Sequence, residues 1–249
     1  KGEYVMKNIL ILENSKNNKN TFACNVKENC INNLEDYIEH NKKIVQFDDN
    51  KTWVIISDIE RSIKEKIEQY GTKLSEWDIS INYGIKTGYN EAFIIDEETK
   101  NKLICEDPKS AEIIRPILRG RDIKRYSYDF QNLWLIYIPW HFPLQSDKTI
   151  KGASKIAEKE FMNKYPAIYN HLLARKEQLK NRNKSETGIR YEWYALQRYG
   201  SEYSDDFYKQ KIVYPETTQG AYFCLDENQY FIDKTCFMIT GDNLKFLLG

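Results

Sequence analysis

Short apolar runs alternate with polar, asparagine- and lysine-rich turns over residues 7–57. The runs "NILILENS", "TFACNVK", "KIVQFDD" and "WVIIS" have the length and the flanking turn residues of β-strands. A short helix is predicted around residues 29–41. The N-terminal part of the chain is therefore predicted to combine short strands with one helix.

Residues 57–71, "SDIERSIKEKIEQYG", carry the apolar spacing of a helix. Ser57 and Glu60 have the spacing of a capping box at a helix N-terminus. Gly71 is placed to end the helix. The apolar residues that recur on one stripe of this helix are Ile59, Ile63 and Ile67.

The later part of the chain predicts strands and helices in mixed order. The stretch "INYGIKTGYNEAF" leads into a predicted strand "AFIID", a turn "DEETKN", a short helix "DPKSAEII" and an apolar strand "LWLIYIP". Residues 151–182 predict a helical pair that restarts at Pro166, and the C-terminal quarter is strand-rich. The predicted face of the pair comprises Ile168, Leu172, Leu173 and Leu179. The predicted fold class is α+β, with mixed β-sheets and a central helical pair.

The composition excludes a uniformly basic nucleic-acid coat, because 37 lysines and arginines balance 37 aspartates and glutamates. A local basic face is compatible with that balance. The five cysteines are odd in number and scattered, which argues against a disulfide framework or a zinc site and fits a reducing cytoplasm. No apolar run is long enough to span a membrane, and the sequence shows no signal peptide. The chain begins with lysine and is interpreted as a fragment of a longer protein.

Few residues carry the marks of catalysis. The stretch that contains Gly84 and Gly88 lacks the G-K-[ST] ending of a phosphate-binding loop. A strand is predicted to follow it, whereas a phosphate-binding loop needs a helix there. Glu98 and Lys100 have the Glu-x-Lys spacing of metal-dependent nucleases, with Asp78 upstream, but the triplet falls in a predicted hairpin turn. No catalytic or metal-binding residue is assigned to the chain. A nuclease that uses Asp78, Glu98 and Lys100 is kept as an alternative.

Four segments concentrate residue types that contact nucleic acids. Asparagine pairs with adenine, arginine and lysine reach guanine or phosphate, and aromatic rings stack on bases. Threonine and glutamine at a strand end suit base edges. The candidate DNA-binding residues are Lys86, Thr87, Tyr89 and Asn90 in the first segment, Arg119, Arg121, Lys124 and Arg125 in the second, Arg190, Tyr194 and Arg198 in the third, and Thr217, Thr218 and Gln219 in the fourth.

Each segment also has a plainer interpretation. The first and fourth suit ordinary polar turns. The second suits a solvated charged turn, as the alternative to a nucleic-acid contact in which Asp122 orients one of the arginines. The third suits an amphipathic helix that packs Trp193 and Leu196 into the core. The order of the segments along the chain is more informative than any one of them.

Several motifs follow one another in a familiar order: "GIKTGYNEAFIID", "IIRPILRGRDIKRY", "LWLIYIP", "YPAIYNHLLARKEQLKNR", "WYALQR", "KIVYPETTQ" and "CFMITGDNLKFLLG". In this order they resemble the TaqI-like C-terminal specificity domain, the target recognition region of type IIG restriction–modification enzymes and adenine-specific DNA methyltransferases. The resemblance covers residues 74–249. It implies a domain that holds double-stranded DNA and chooses the site methylated by a methyltransferase domain of the same polypeptide. Residues 1–73 would then form a linking subregion after that domain.

The resemblance implies cofactors for the parent enzyme and none for this chain. S-adenosylmethionine would bind to the upstream methyltransferase domain, and Mg²⁺ would be needed if the parent also cuts DNA. A third hypothesis is a protein-interaction module, in which surface aromatic residues bind a partner chain and no DNA sequence is preferred.

The resemblance also gives the stretch "INYGIKTGYNEAF" a place at the rim of a DNA cleft. Gly84 and Gly88 are expected to turn the chain there. Lys86 and Thr87 are expected to hold backbone phosphate. Either Tyr89 or Asn90 is expected to position or read a base. Phe93 is expected to anchor the following strand in the core.

Overall fold

The structure, a computed structural model, describes residues 21–26, 33–45, 56–218 and 220–249. The chain divides into two compact units, Lys1–Trp77 and Asp78–Gly249. The sequence places its boundary four residues earlier, after residue 73, and the roles given to the two parts remain predictions.

The first unit contains a two-stranded antiparallel sheet and helices. Its elements are β1 (Thr21–Ala23), α1 (Leu34–Asn41), β2 (Lys43–Val45), α2 (Asp58–Tyr70) and a 3₁₀ turn (Leu74–Glu76). β1 pairs with β2 so that Thr21 lies opposite Val45. Both strands fall where apolar runs predict them. The predicted strand "NILILENS", most of "WVIIS" and the predicted start of the first helix lie outside the described residues.

Helix α2 begins and ends as its sequence predicts. The N–H of Glu60 donates to the Ser57 hydroxyl at 3.3 Å, and the Ser57 N–H donates to the Glu60 carboxylate at 2.6 Å. The N–H of Gly71 closes the last turn on the carbonyl of Ile67 at 2.7 Å. The isoleucines of the predicted stripe lie on the surface of the helix and are exposed. Capping therefore fixes this helix more firmly than burial does.

The second unit has its strands and helices in mixed order, as the sequence predicts. Its strands are β3 (Ile79–Tyr83), β4 (Ile94–Asp96), β5 (Ile114–Leu118), β6 (Ile123–Lys124), β7 (Ser127–Tyr128), β8 (Leu133–Ile136), β9 (Lys211–Pro215), β10 (Cys224–Asp226), β11 (Phe231–Ile232) and β12 (Cys236–Gly241). Its α-helices are α3 (Asn90–Phe93), α4 (Glu97–Glu106), α5 (Lys155–Lys164), α6 (Pro166–Leu173), α7 (Lys176–Asn181) and α8 (Leu244–Leu248). Its 3₁₀ turns are Pro108–Ile113, Gly120–Asp122 and Ser204–Tyr208.

Two four-stranded sheets organise this unit. One has the order β10-β9-β12-β3 and is antiparallel throughout. The other has the order β11-β5-β8-β4, in which β11 runs parallel to β5 and the remaining pairs are antiparallel. The α+β class with mixed sheets is therefore confirmed. Strands β5 and β8 supply fully buried residues to the core, namely Ile117, Leu118, Leu135 and Ile136.

Of two local predictions after the glycine-containing stretch, one is confirmed in part and the other is wrong. The strand predicted over "AFIID" is confirmed for Ile94–Asp96, which form β4, whereas the two residues before it belong to a single helical turn, Asn90–Phe93. The sequence predicts a turn over "DEETKN", but this is the start of α4. The Asp96 carboxylate accepts the N–H of Thr99 at 2.8 Å, so Asp96 caps a helix directly at the end of a strand. Phe93 is fully buried, as expected of an anchor.

The predicted helical pair is a run of three helices. Pro166 is the first residue of α6, which confirms the predicted restart. Ile168, Leu172 and Leu179 are fully buried, whereas Leu173 is exposed. Helix α6 ends at Leu173 and α7 begins three residues later, so one continuous stripe cannot describe both helices.

A buried ion pair lies on the first sheet. Lys211 and Asp226 are both fully buried, and the Nζ of Lys211 lies 2.6 Å from the Asp226 carboxylate. Nζ also donates to the carbonyl of Phe207 at 2.8 Å. Burial lowers the pKa of Lys211, and the Asp226 carboxylate opposes that shift. Because β9 and β10 pair through these residues, the ion pair fixes the edge of the sheet.

Gly84, directly after β3, lies against the backbone of Asp233, directly after β11. Its N–H donates to the Cys236 carbonyl at 2.9 Å, and a Cβ built on Gly84 would overlap the carbonyl oxygen of Asp233. We expect Gly84→Ala to lower the free energy of unfolding by about 3 kcal/mol, because a methyl group must displace backbone. Urea denaturation followed by circular dichroism would measure the loss.

Gly188→Ala is the matched control for this prediction. Gly188 has a φ of +78°, but a Cβ there would meet no atom within 4 Å. Only the left-handed backbone then disfavours alanine, and we expect a loss of about 1 kcal/mol. Equal losses in the two variants would show that the close approach at Gly84 does not limit stability.

Candidate nucleic-acid interface

The first and third predicted segments meet through their backbones. The N–H of Lys86 donates to the carbonyl of Arg198 at 3.0 Å, and the N–H of Arg198 donates back to Lys86 at 2.9 Å. The two residues form an isolated antiparallel bridge. Residues opposite each other in such a bridge present their side chains on the same face. The cations Lys86 and Arg198 therefore share one face.

The first and second segments meet through the turn after β11. The backbone N–H of Ile85 donates to the Ile232 carbonyl at 2.8 Å, and the backbone N–H of Asp233 donates to the carbonyl of Leu118 at 3.1 Å. The N–H of Gly120 then donates to the Thr235 hydroxyl at 2.8 Å. These bonds join the residues before Lys86 to the start of the basic segment.

The fourth segment joins the same turn. The N–H of Glu216 donates to the Thr235 carbonyl at 2.8 Å, and Tyr126 donates to the carbonyl of Phe223 at 2.8 Å. All four predicted segments are thus linked by one series of contacts. We call residues 84–90, 118–126, 190–198 and 215–218 the four-segment strip.

The arginines of the second segment differ in what holds them. Nε and Nη2 of Arg119 donate to the two carboxylate oxygens of Asp122, each at 3.0 Å, and Asp122 is buried. The predicted orientation of an arginine by Asp122 is therefore confirmed. Arg121 and Lys124 are exposed, and Arg125 is exposed beside the ring of Tyr126, 5.4 Å from its centroid.

The third segment consists of turns rather than a helix, over residues 188–198. Trp193 and Leu196 are buried, so that part of the plainer interpretation is confirmed. Tyr194 is fully buried as well, and its hydroxyl donates to the carbonyl of Phe142 at 2.9 Å. The DNA contact predicted for Tyr194 is wrong, because both its ring and its hydroxyl are used inside the core.

A cation–aromatic cluster remains at the surface of the third segment. Arg190 and Arg198 lie against the ring of Trp140, 5.5 Å and 5.9 Å from its centroid. Both guanidinium groups donate to the carboxylate of Glu186, at 2.8–3.0 Å. We call these four residues the Trp140 cluster. It brings two of the predicted cations together and adds Glu186 and Trp140, which the sequence did not identify.

The first and fourth segments place polar side chains at the surface. Lys86 and Asn90 are exposed, whereas Thr87 is buried and its hydroxyl donates to the Asn90 amide oxygen at 2.5 Å. Thr87 therefore supports the loop from inside. Thr217 and Thr218 are exposed.

The remaining candidates of the first and fourth segments are Tyr89 and Gln219. Tyr89 is half-buried, and its pKa is raised by a hydrogen bond to Glu91. Gln219 lies outside the described residues. The four-segment strip thus retains most of the predicted polar and basic residues at its surface.

A family model for the TaqI-like C-terminal specificity domain matches residues 115–249, which is more than half of the chain. The chain belongs to this family. A curated relative, the type II methyltransferase M.MjaIV of Methanocaldococcus jannaschii, is 26% identical over 175 residues, which is 68% of this chain. The chain spans 52% of the length of that relative. Residues 115–249, the range that the family model matches, contain the second, third and fourth segments.

A solved structure is similar over 72% of this chain and 21% of its own length, with 16% identity and a TM-score of 0.44. It is the type IIL restriction–modification enzyme MmeI in complex with DNA.

The specificity domain holds its loops together through an arginine that the sequence did not single out. Nη1 of Arg182 donates to the carbonyl of Thr87 at 2.8 Å, and Nη2 donates to the carbonyls of Trp193 and Ala195. One side chain from the end of α7 therefore ties the first segment to the third. The only sequence feature that could have indicated this role is the position of the arginine at the boundary between a helix and a polar loop.

The surroundings of Arg182 are aromatic. Its guanidinium lies 5.4 Å from the ring centroid of Phe93 and 5.5 Å from that of Tyr191. Burial lowers the pKa of Arg182 to about 10, and Tyr191 opposes that shift. The charge is therefore held by carbonyl dipoles and ring faces inside the specificity domain.

The nuclease alternative gains no support from the specificity domain. Lys100 lies on α4, where its Nζ is 3.3 Å from the Glu97 carboxylate and 3.7 Å from the ring centroid of Trp134. Asp78 lines an open groove of about 440 Å³ whose lining includes neither Glu98 nor Lys100. Within the described ranges, no group of three His, Cys, Asp or Glu residues is arranged to hold a metal ion. No described helix is long and apolar enough to cross a membrane.

Replacing Arg182 tests whether its side chain stabilises the domain. We expect Arg182→Met to lower the free energy of unfolding by about 3 kcal/mol, because three carbonyl groups lose a charged donor. Arg121→Met is the matched control at an exposed position and should change stability by less than about 0.5 kcal/mol. Denaturant titrations of the purified chain would decide, and a similar small change in both variants would contradict this role for Arg182.

The Trp140 cluster predicts a pH dependence of stability. Hydrogen bonds from Arg198 lower the pKa of Glu186 below its ordinary value of 4.5, burial opposes the shift, and Arg190 adds to it. Because the folded pKa is depressed, the stabilisation is present above pH 4.5 and is lost as the pH falls through the folded pKa. The difference in stability between wild type and Glu186→Gln should therefore shrink as the pH falls from 4.5 through the folded pKa of Glu186. Thermal melts from pH 7 to pH 3 would measure it.

Glu177→Gln provides the control, since the Glu177 side chain is 79% exposed and pairs with Lys180 at 3.7 Å. Its difference from wild type should stay small at every pH, because exposed ion pairs contribute little. A Glu186→Gln difference that does not change with pH would refute the prediction.

Proposed function

We propose that this chain is the DNA target recognition domain of a site-specific DNA methyltransferase of the restriction–modification type. Membership of the TaqI-like specificity family carries the proposal. The relative named as a type II methyltransferase is about twice as long as the region matched here, which is compatible with catalytic parts elsewhere in a parent polypeptide.

The four-segment strip supports the DNA-binding part of the proposal. It presents Lys86, Arg121, Lys124 and Arg125 as exposed cations, and Thr217 and Thr218 as exposed short polar side chains. Cations of this kind hold phosphates, whereas short polar side chains reach base edges in the major groove. The strip therefore combines both kinds of contact along one linked series of loops.

In the proposed reaction the chain chooses the site and does no bond-making. The parent would bind S-adenosylmethionine in its methyltransferase domain and transfer the methyl group to adenine N6. The target adenine would leave the duplex and enter that domain, as base-modifying enzymes require. Cleavage by the parent, with Mg²⁺, is an additional activity of type IIG enzymes that this proposal does not need.

The neutral net charge bears on how tightly the isolated chain binds. Each phosphate contact contributes about one unit to the slope of log K against log salt concentration. A chain with no net positive charge should bind DNA weakly by itself and share its electrostatic contacts with the rest of the parent.

The first experiment uses the full-length parent in a host that lacks adenine methylation. Single-molecule sequencing would map N6-methyladenine for wild type and for Lys86→Ala and Arg121→Ala. We expect one methylated motif in wild type. Loss of an exposed phosphate contact should lower methylation at all copies of the motif and reduce the salt slope by about one unit.

The outcomes separate the proposal from its residue assignments. One motif with both variants unchanged would keep the function and remove Lys86 and Arg121 from the interface. A methyl-transfer activity without sequence preference, or no methylation at all, would overturn the proposed function. Mg²⁺-dependent cutting by this chain alone, abolished by Glu98→Ala, would favour the nuclease instead.

A further inference from the structure

The Trp140 cluster is more rigidly built than a solvated charged turn. The ring of Trp140 is fixed by a hydrogen bond from its Nε1 to the carbonyl of Leu196 at 2.8 Å. It stacks on Tyr191 with 4.9 Å between ring centroids and 17° between ring planes, and Tyr191 is fully buried. The cluster therefore rests on the core of the domain.

Arg198 is held at both ends. Its backbone exchanges two hydrogen bonds with Lys86. Its Nη1 donates to Glu186 at 3.0 Å and to the Gln197 carbonyl at 2.7 Å, and its Nη2 donates to Glu186 at 2.8 Å. The rotamer freedom that a flexible arginine loses on binding DNA is already restricted here.

One edge of this guanidinium is not used. The Nε of Arg198 and the second proton of its Nη2 make no hydrogen bond in the part of the chain that the structure describes. The side chain is 38% exposed, whereas that of Glu186 is 12% exposed. A planar fork with two parallel donors is the shape that pairs with O6 and N7 of guanine.

The charge around Arg198 favours a base over a phosphate. Glu186 carries one negative charge against the two arginines of the cluster, so Arg198 offers less net attraction to a phosphate than an unpaired cation does. By contrast, Arg121 makes no ion pair with any described residue, and its exposed side chain suits phosphate. A carboxylate that orients an arginine also fixes the direction of its remaining donors.

We propose that Arg198 is a specificity-determining residue that reads a guanine through its Nε and Nη2 edge, with Glu186 as the positioning residue. This inference rests on the proposed function. It predicts that the methylated motif contains at least one G·C pair that Arg198 contacts in the major groove.

The test uses the purified full-length parent and synthetic duplexes. Wild type, Arg198→Lys, Glu186→Gln and Arg121→Lys would be assayed on the motif and on duplexes with each G·C pair replaced in turn. Lysine keeps the charge but lacks the fork. We expect Arg198→Lys to reduce discrimination at one G·C position by about tenfold to a hundredfold, with the salt slope unchanged.

Glu186→Gln should weaken discrimination at the same position, because Arg198 keeps its donors but loses the carboxylate that orients it. Arg121→Lys is the matched control and should leave discrimination unchanged at every position. Melting temperatures of the variants would be compared in parallel. A purely structural role would lower stability or overall rate without changing the preference at one base pair.

Several outcomes would overturn the inference. Unchanged discrimination in Arg198→Lys would do so, as would a uniform loss at all positions or a wild-type motif without a G·C pair. Each of these leaves the proposed function intact, since wild type would still methylate one motif. A wild-type enzyme with no preferred motif would instead overturn the proposed function, and this inference with it.

Discussion

The loops of the larger unit depend on one half-buried positive charge, that of Arg182. Arg182 reaches from the end of a helix to the carbonyl of Thr87 on one side and to those of Trp193 and Ala195 on the other. In the described structure its charge meets carbonyl dipoles and aromatic faces, so the carbonyl groups that it binds must stay in place for the guanidinium to remain partly shielded from solvent. The same interaction keeps two loops at a fixed separation.

A second constraint is that carboxylates hold three of the arginines at the candidate interface, Arg119, Arg190 and Arg198. Asp122 fixes Arg119 by both oxygens, and Glu186 fixes Arg190 and Arg198 over Trp140. This pairing shows how a chain with no net charge can still present cations in defined directions. Neutral composition excludes a general attraction to nucleic acid but not a local arrangement of donors.

The sequence predicts much of the fold because its signals are local. The capping box at Ser57, the restart at Pro166 and the buried strand around Leu135 follow from residues close together in the chain. It fails at Asp96, where a helix cap directly follows a strand residue and imitates a turn. It also fails for Tyr194, since composition cannot tell an aromatic ring in the core from one at the surface.

The candidate site was predictable as a set of segments but not as an arrangement. The contacts that join the segments run through Thr235, Arg182 and the backbone of Lys86, and none of these pairings has a sequence signature. Most of these links end on main-chain atoms. Side chains at positions such as 86, 121, 217 and 218 can therefore be exchanged while the frame that holds them persists. In the proposed recognition domain, a scaffold of this kind lets mutation change the contacts with DNA one side chain at a time, with little risk to folding.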